Sequence, residues 1–231
     1  MTFFHPSRPV LRPKQQALDI QDLEGLLQVN LRFGQKSLYK TAYTRVDLGI
    51  MLWVPIVAVI FTTAQFSPIS WQTQAILWSA LTLIGTIAMT ALTRYWAKIE
   101  HVSWVVYAWG LLAIAGLAIT DLAIFQGLPL ILINLCPLWL GLSAVGYILT
   151  GIGLRSRALL LCGLAHAGAI FLLPYVMAWQ FIFTGLVMKA CLILLAELQW
   201  DMRPPIDSAW LTPEQKEFNR RQHQLRQANQ F

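Results

Sequence analysis

The chain has 231 residues, of which 57% are hydrophobic and only 12% are charged, and its formal net charge is +6. Soluble domains carry about a quarter charged residues, so this composition excludes an ordinary soluble domain and predicts a protein that crosses a membrane several times. A basic excess can indicate nucleic-acid binding, but no nucleic-acid-binding motif accompanies it here. Because the basic residues lie in the tails and in the loops of one side, we attribute them to membrane orientation and expect no nucleic-acid partner.

Residues 1–46 are expected to form a cytoplasmic N-terminal tail. Residues 1–15 are polar and rich in proline, which favours an extended or disordered segment. Over residues 19–33, apolar residues recur at the three- and four-residue spacing of a helix. The recurring residues are Ile20, Leu23, Leu27 and Leu31. We therefore predict an amphipathic helix at about 19–33, which would lie on the membrane surface or pack on a partner or on the cytoplasmic loops.

Six apolar stretches follow, each of roughly 20 residues and therefore long enough to cross a bilayer as a helix. They cover residues 47–66, 74–93, 103–125, 128–150, 157–177 and 180–199. The connections between them are short, so consecutive spans should be antiparallel neighbours. The predicted fold is all-α: a polytopic membrane protein with a six-transmembrane-helix bundle over residues 47–200, and with helical tails at both termini.

Lys and Arg are distributed unequally between the two ends of these spans. Both flanks of the bundle and the second and fourth connections carry basic residues, whereas the other three connections carry none. By the positive-inside rule, both termini are expected in the cytoplasm. The sequence does not distinguish a bacterial plasma membrane from an internal membrane of the thylakoid type.

Residues 201–231 are expected to form a cytoplasmic C-terminal tail with a short helix from about 213 to 228. Thr212 is a suitable N-cap, Pro213 suits the first helical position and Gln215 the third. The apolar stripe of this helix is narrow, which favours a solvated helix over one that docks on a partner.

Four polar residues inside the predicted spans are the candidate site for ligand binding or ion coupling: Lys189, Asp121, His166 and Asn134. Lys189 lies at the centre of the last span, where a charge costs a few kcal/mol. Asp121 lies about 10 Å further outward in depth, within reach of Lys189 if the third and sixth spans pack together. Two interpretations stay open: a pocket open to the non-cytoplasmic side, or unrelated polar groups that are each bonded locally.

Small residues surround His166 at the centre of the fifth span, where they would allow close approach of a neighbouring helix. No sequence motif of a catalytic or metal site is present, so we assign neither, and the sequence does not identify a cofactor. One candidate function is an accessory or assembly subunit of a larger membrane complex, docking through its cytoplasmic tails and apolar helix faces. The alternative is a small-molecule or ion binding or transport module around Lys189 and Asp121. A membrane-embedded enzyme ranks below both, and the expected partners are the lipid bilayer and either a membrane protein or a small molecule.

Overall fold

The computed structural model describes residues 4, 9–14, 17–33, 36–204 and 206–228, and most of these residues are helical. The long helices are α2 (Arg45–Phe66), α3 (Trp71–Ile99), α4 (Ser103–Gln126), α6 (Leu135–Leu154), α7 (Arg157–Leu172), α8 (Gln180–Glu197) and α9 (Pro213–Ala228). Two helices of a single turn are α1 (Ile20–Leu23) and α5 (Pro129–Leu132). A 3₁₀ segment, Leu173–Trp179, joins α7 to α8.

Within the described residues, five helical stretches are long and apolar enough to cross a membrane: α2, α3, α4, α6 and the 41-residue stretch Arg157–Glu197, which contains α7 and α8. They indicate an integral membrane protein, as the composition predicted. The last stretch is interrupted at the 3₁₀ segment, where Val176 has non-helical dihedral angles of φ −123° and ψ 30°. The chain folds back there: Leu159 near the start of α7 and Leu195 near the end of α8 belong to the same buried cluster.

The apolar helices pack as a ring that follows chain order. Helix α2 packs on α3, α3 on α4, α4 on α6 and α6 on α7, and α8 closes the ring against α2. The approach of α7 to α6 depends on Gly163, where a Cβ would lie only 3.1 Å from the carbonyl oxygen of Ala144. This contact agrees with the small-residue pattern around His166, which predicted a closely packed fifth span.

The predicted helix over residues 19–33 is wrong beyond its first turn. Only Ile20–Leu23 is helical, and Gly25 then takes a positive φ of 73°. Strand β2 (Leu27–Phe33) pairs antiparallel with β3 (Lys36–Tyr43) to form a hairpin. The apolar residues from Leu27 to Phe33 also alternate strictly with polar ones, which is the period of a strand, so the same residues fitted both patterns.

The two tails meet at one end of the ring. Strand β1 (Leu11–Arg12) pairs antiparallel with β4 (Gln199–Trp200), so part of the predicted extended segment is a strand. Residues 1–3, 5–8 and 15 of that prediction lie outside the described residues. We call β1, α1, β4 and α9, with the linker between the last two, the terminal cap.

Helix α9 confirms the predicted element at 213–228, including its N-cap. The Gln215 amide donates to Thr212 Oγ1 at 3.3 Å, and the Thr212 amide donates to Gln215 Oε1 at 2.9 Å. The helix is not merely solvated, however, because Asn219 is buried against α1. The Ile20 amide donates to Asn219 Oδ1 at 2.8 Å, and Asn219 Nδ2 donates to Gln21 Oε1 at 3.0 Å. Polar contacts therefore hold α9 against α1, although its narrow apolar stripe had favoured a solvated helix.

Candidate functional site in the helix ring

The structure does not pair Lys189 with Asp121. The Ser79 hydroxyl of α3 donates to the Asp121 carboxylate, whose two oxygens lie at 3.0 and 2.8 Å. Lys189 is half-buried on α8, and among the described residues it forms no ion pair with Asp121 or any other carboxylate. The ring explains the separation, because α8 packs against α2 whereas α4 packs between α3 and α6.

Asn134 and His166 lie in different environments. Asn134 is exposed at the start of α6, where its Nδ2 donates to the Leu130 carbonyl at 2.8 Å. His166 is fully buried in α7. Of the four predicted site residues, only His166 lines the cavity inside the helix ring.

The helix ring surrounds a cavity of about 210 Å³. Its walls come from the first halves of α2 and α4, the second halves of α3 and α8, most of α6, Leu159 and His166 of α7, and Trp200 of the terminal cap. It therefore lies in the half of the ring next to the tails, whereas Asp121 and Asn134 lie toward the opposite end. An engineered apolar cavity of about 150 Å³ in another protein binds benzene, so this volume suffices for a small organic molecule.

Aromatic side chains form much of the cavity wall. Five of the chain's ten tryptophans line it: Trp53, Trp96, Trp109, Trp139 and Trp200. Trp109 Nε1 donates to Thr150 Oγ1 at 2.9 Å, and Trp139 Nε1 donates to Thr120 Oγ1 at 3.1 Å. These bonds fix both indoles and use their only donors.

His166 is held by its own helix and by an aromatic stack. Its Nδ1 lies 2.8 Å from the Cys162 carbonyl oxygen, and its ring centroid lies 5.0 Å from that of Tyr147. Trp109 packs edge-on against Tyr147, with the ring centroids 5.4 Å apart. The Cys191 thiol of α8 lies beside Cys162 and His166. Nε2 of His166 is buried and has no hydrogen-bond partner within 3.5 Å in the described part of the chain.

The described lining carries no formal charge and is largely apolar. Among the described residues that line the cavity there is no Asp, Glu, Lys or Arg. No group of three His, Cys, Asp or Glu residues is placed to hold a metal ion, as far as the described residues extend. The described lining therefore offers no formally charged group to a ligand and presents mainly apolar surface to it.

Sequence reasoning missed most of this lining because it searched for charge. One signal was present: Thr82, Thr86, Thr90 and Thr93 recur at helical spacing in the second span, and all four line the cavity. Thr86 and Thr93 donate to the carbonyls of Thr82 and Met89, each at 2.8 Å. A polar stripe on one face of a membrane helix indicates a face turned away from lipid.

The terminal cap beside the cavity contains buried charges. Gln21 Nε2 donates to Glu100 Oε1 at 3.0 Å, and Arg203 Nη2 lies 3.7 Å from Glu100 Oε2. Arg203 also donates to the Glu100 and Gly153 carbonyls. Burial raises the pKa of Glu100, and the Arg203 charge opposes the rise. This network ties the end of α3 to the linker after α8.

No protein-family model, curated protein or solved structure matches this chain. A function must therefore be proposed from the cavity and the terminal cap.

Proposed function

We propose that this integral membrane protein binds a small, largely apolar molecule in the cavity of its helix ring. The observation that carries the proposal is the cavity of about 210 Å³, walled by fixed tryptophans and by His166. Because the wall side chains lack packing partners across this volume, a bound molecule would add dispersion contacts with them. The proposal keeps the ligand-binding alternative but moves its site from Lys189 and Asp121 to His166.

The chain is proposed to cross the bilayer six times with both termini in the cytoplasm. Support comes from the fold-back at Leu173–Trp179, which separates α7 and α8, of 16 and 18 residues. At 1.5 Å per residue these helices are about 24 and 27 Å long, close to the ~30 Å of the hydrocarbon core. The basic residues of the loops lie at the end that carries the terminal cap, the cytoplasmic end by the positive-inside rule.

Impermeant labelling of single cysteines, in a chain whose three native cysteines are replaced by serine, would test this topology. Cysteines at Ser70 and at the exposed Tyr175 should be labelled from the non-cytoplasmic side, and one at the exposed Arg155 only from the cytoplasmic side. Labelling of Tyr175→Cys and Arg155→Cys from the same side would contradict six spans.

Two glycines provide a matched test of the cavity. A Cβ at Gly110 or at Gly168 would meet no atom within 4 Å, but only Gly110 lines the cavity. Gly110→Leu should therefore fill the cavity, whereas Gly168→Leu on the exposed face of α7 should leave it open. We expect naphthalene to raise the thermal unfolding midpoint of the wild type and of Gly168→Leu in lipid nanodiscs, but not that of Gly110→Leu. Equal responses of the two variants would contradict a cavity ligand.

A second candidate function is a subunit of a larger membrane complex. The observation that favours it is the exposure of large apolar side chains on and beside the terminal cap, outside the apolar helices. Trp210 is 66% exposed, Leu225 51% and Leu27 48%. Cross-linking followed by mild-detergent purification should then recover a stoichiometric partner that Trp210→Ser weakens. Purification without any such partner would count against this candidate.

A further inference from the structure

We infer that the cavity selects an uncharged aromatic molecule that donates one hydrogen bond, such as a phenol or an indole, to Nε2 of His166. This inference rests on the proposed function, because it names the chemical class of the ligand at that site. It is carried by the neutral lining, the tryptophan walls and the hydrogen bonding of His166.

The lining disfavours a charged ligand. A charge moved from water into an apolar site is strongly disfavoured unless an opposite charge or a set of hydrogen bonds compensates it. The described lining residues supply no such charge, since they include neither acids nor Lys or Arg. Lys189 lies on α8 but does not line the cavity.

The walls favour a flat ring. Aromatic rings gain about 0.5–1.5 kcal/mol beyond buried area when they stack offset or edge-on against other rings. The indoles of Trp109 and Trp139 have their N–H groups bound to threonines, so what they offer a ligand is ring surface. Trp109 packs on Tyr147 and Tyr147 on His166, and this group of rings likewise offers ring surface to a ligand.

The hydrogen bond of His166 Nδ1 determines what Nε2 offers. The Cys162 oxygen is a backbone carbonyl and can only accept, so Nδ1 must carry the hydrogen. In the uncharged imidazole, Nε2 is then an acceptor. A ligand that also only accepts would leave this buried nitrogen unpaired, whereas an O–H or N–H donor would satisfy it.

Other polar groups beside the cavity do not provide the same selection. The hydroxyls of Thr90, Ser143 and Tyr147 can each donate or accept, so they accommodate both kinds of ligand. The Cys191 thiol beside His166 is a weak donor. Only Nε2 combines burial, a defined role and the lack of a partner within 3.5 Å among the described lining residues.

Three probes with one ring system test the inference: 2-naphthol, which donates, 2-methoxynaphthalene, which only accepts, and the anion 2-naphthoate. Affinities are measured on the full chain in lipid nanodiscs by equilibrium dialysis, and Gly110→Leu defines binding outside the cavity. We expect 2-naphthol to bind about tenfold more tightly than 2-methoxynaphthalene, and 2-naphthoate to bind no better than it does to Gly110→Leu. His166→Leu should abolish the tenfold preference, whereas Asn134→Ala, at an exposed site, should retain it.

The outcomes separate this inference from the proposed function. Equal affinity of the wild type for 2-naphthol and 2-methoxynaphthalene, with both lost in Gly110→Leu, would overturn the hydrogen-bond inference and leave the cavity function standing. Binding of no probe above the Gly110→Leu level would overturn both. If His166→Leu fails to fold, the wild-type comparison of the first two probes decides by itself.

Discussion

Arg203 joins the terminal cap to the helix ring through a buried ion pair. The Arg203 side chain is 11% exposed, and its guanidinium lies beside the carboxylate of Glu100, whose side chain is 3% exposed. Removing one partner of a buried ion pair leaves an uncompensated charge and costs about 3–5 kcal/mol. We therefore expect Arg203→Met to lower the free energy of unfolding by about 3 kcal/mol or more, measured by chemical denaturation in detergent.

Arg221 provides the control, because its side chain is 73% exposed and its ion pair with Glu217 is open to solvent. Exposed pairs contribute about 0–1 kcal/mol, so Arg221→Met should be nearly neutral. Equal losses in the two variants would show that Arg203 has no special role.

Asp22 should make the stability of the cap depend on pH. Burial raises the pKa of Asp22 to about 7, and repulsion from the nearby carboxylates of Asp19 and Glu100 adds to the rise. The charge of Arg226 opposes the rise, and Asp47 adds a smaller repulsion. The native pKa lies above the ordinary aspartate value of 3.8, so between these two values the native state binds more protons than the unfolded state. Stability should therefore fall as the pH rises from about 4 to about 7.

The thermal unfolding midpoint of Asp22→Asn should fall less over this range than that of the wild type. Burial also raises the pKa values of Asp19 and Glu100, so part of the dependence should persist in the variant. Asp207→Asn, at a side chain that is 69% exposed, should behave as the wild type does. Parallel pH profiles for wild type and Asp22→Asn would contradict the shift.

At the scale of elements, the packing of α7 on α6 should be the contact most sensitive to added volume. A Cβ at Gly163 would lie 2.7 Å from Ile148 Cγ1 and 3.2 Å from the Ile148 backbone nitrogen. Overpacking of this kind costs about 1–3 kcal/mol, so Gly163→Ala should lower the thermal midpoint. Gly168→Ala in the same helix meets open space and should be neutral or stabilising by up to about 1 kcal/mol. The reverse order would contradict the packing of these helices.

Elements were predictable from sequence where a local signal was unambiguous. The N-cap Thr212 and the following Pro213 predicted α9 with its bounds, because capping depends on neighbours in the chain. The segment from Leu27 to Phe33 failed because its apolar residues satisfy a helical and a strand period at once. Only pairing with Lys36–Tyr43 decides between them, and pairing is not a local property.

At the scale of the whole molecule, the order of helices around the ring decides which polar residues meet. Hydropathy predicts which segments cross a membrane but not which helices touch. The sequence therefore could not decide whether Asp121 and Lys189 lie close together. The ring places α4 and α8 apart and turns His166 toward the centre. Small residues around His166 did predict a closely packed helix, because glycine and alanine let the backbone of a neighbouring helix come near.

We expect the two tails of the chain to be held together by the ion pair between Arg226 and Asp19. Nη2 of Arg226 lies 2.9 and 3.0 Å from the two carboxylate oxygens of Asp19, and its Nη1 donates to the Ala17 carbonyl at 3.0 Å. Both side chains are nearly buried, with 12% and 10% exposed. Arg226→Asp places two carboxylates together, and a loss of about 3 kcal/mol is expected from the broken pair.

That loss should release α9 from α1, so that the helix opens more often and trypsin can cut after Arg220 and Arg221, whose side chains are already exposed. Cleavage of a transiently opened helix follows the opening equilibrium when reclosing is fast, so about 3 kcal/mol corresponds to roughly a 100-fold faster cut. Combining Arg226→Asp with Asp19→Arg restores opposite charges and should recover much of the protection. Cleavage of the single and double variants at the same rate would show that the tails are not held together by this pair.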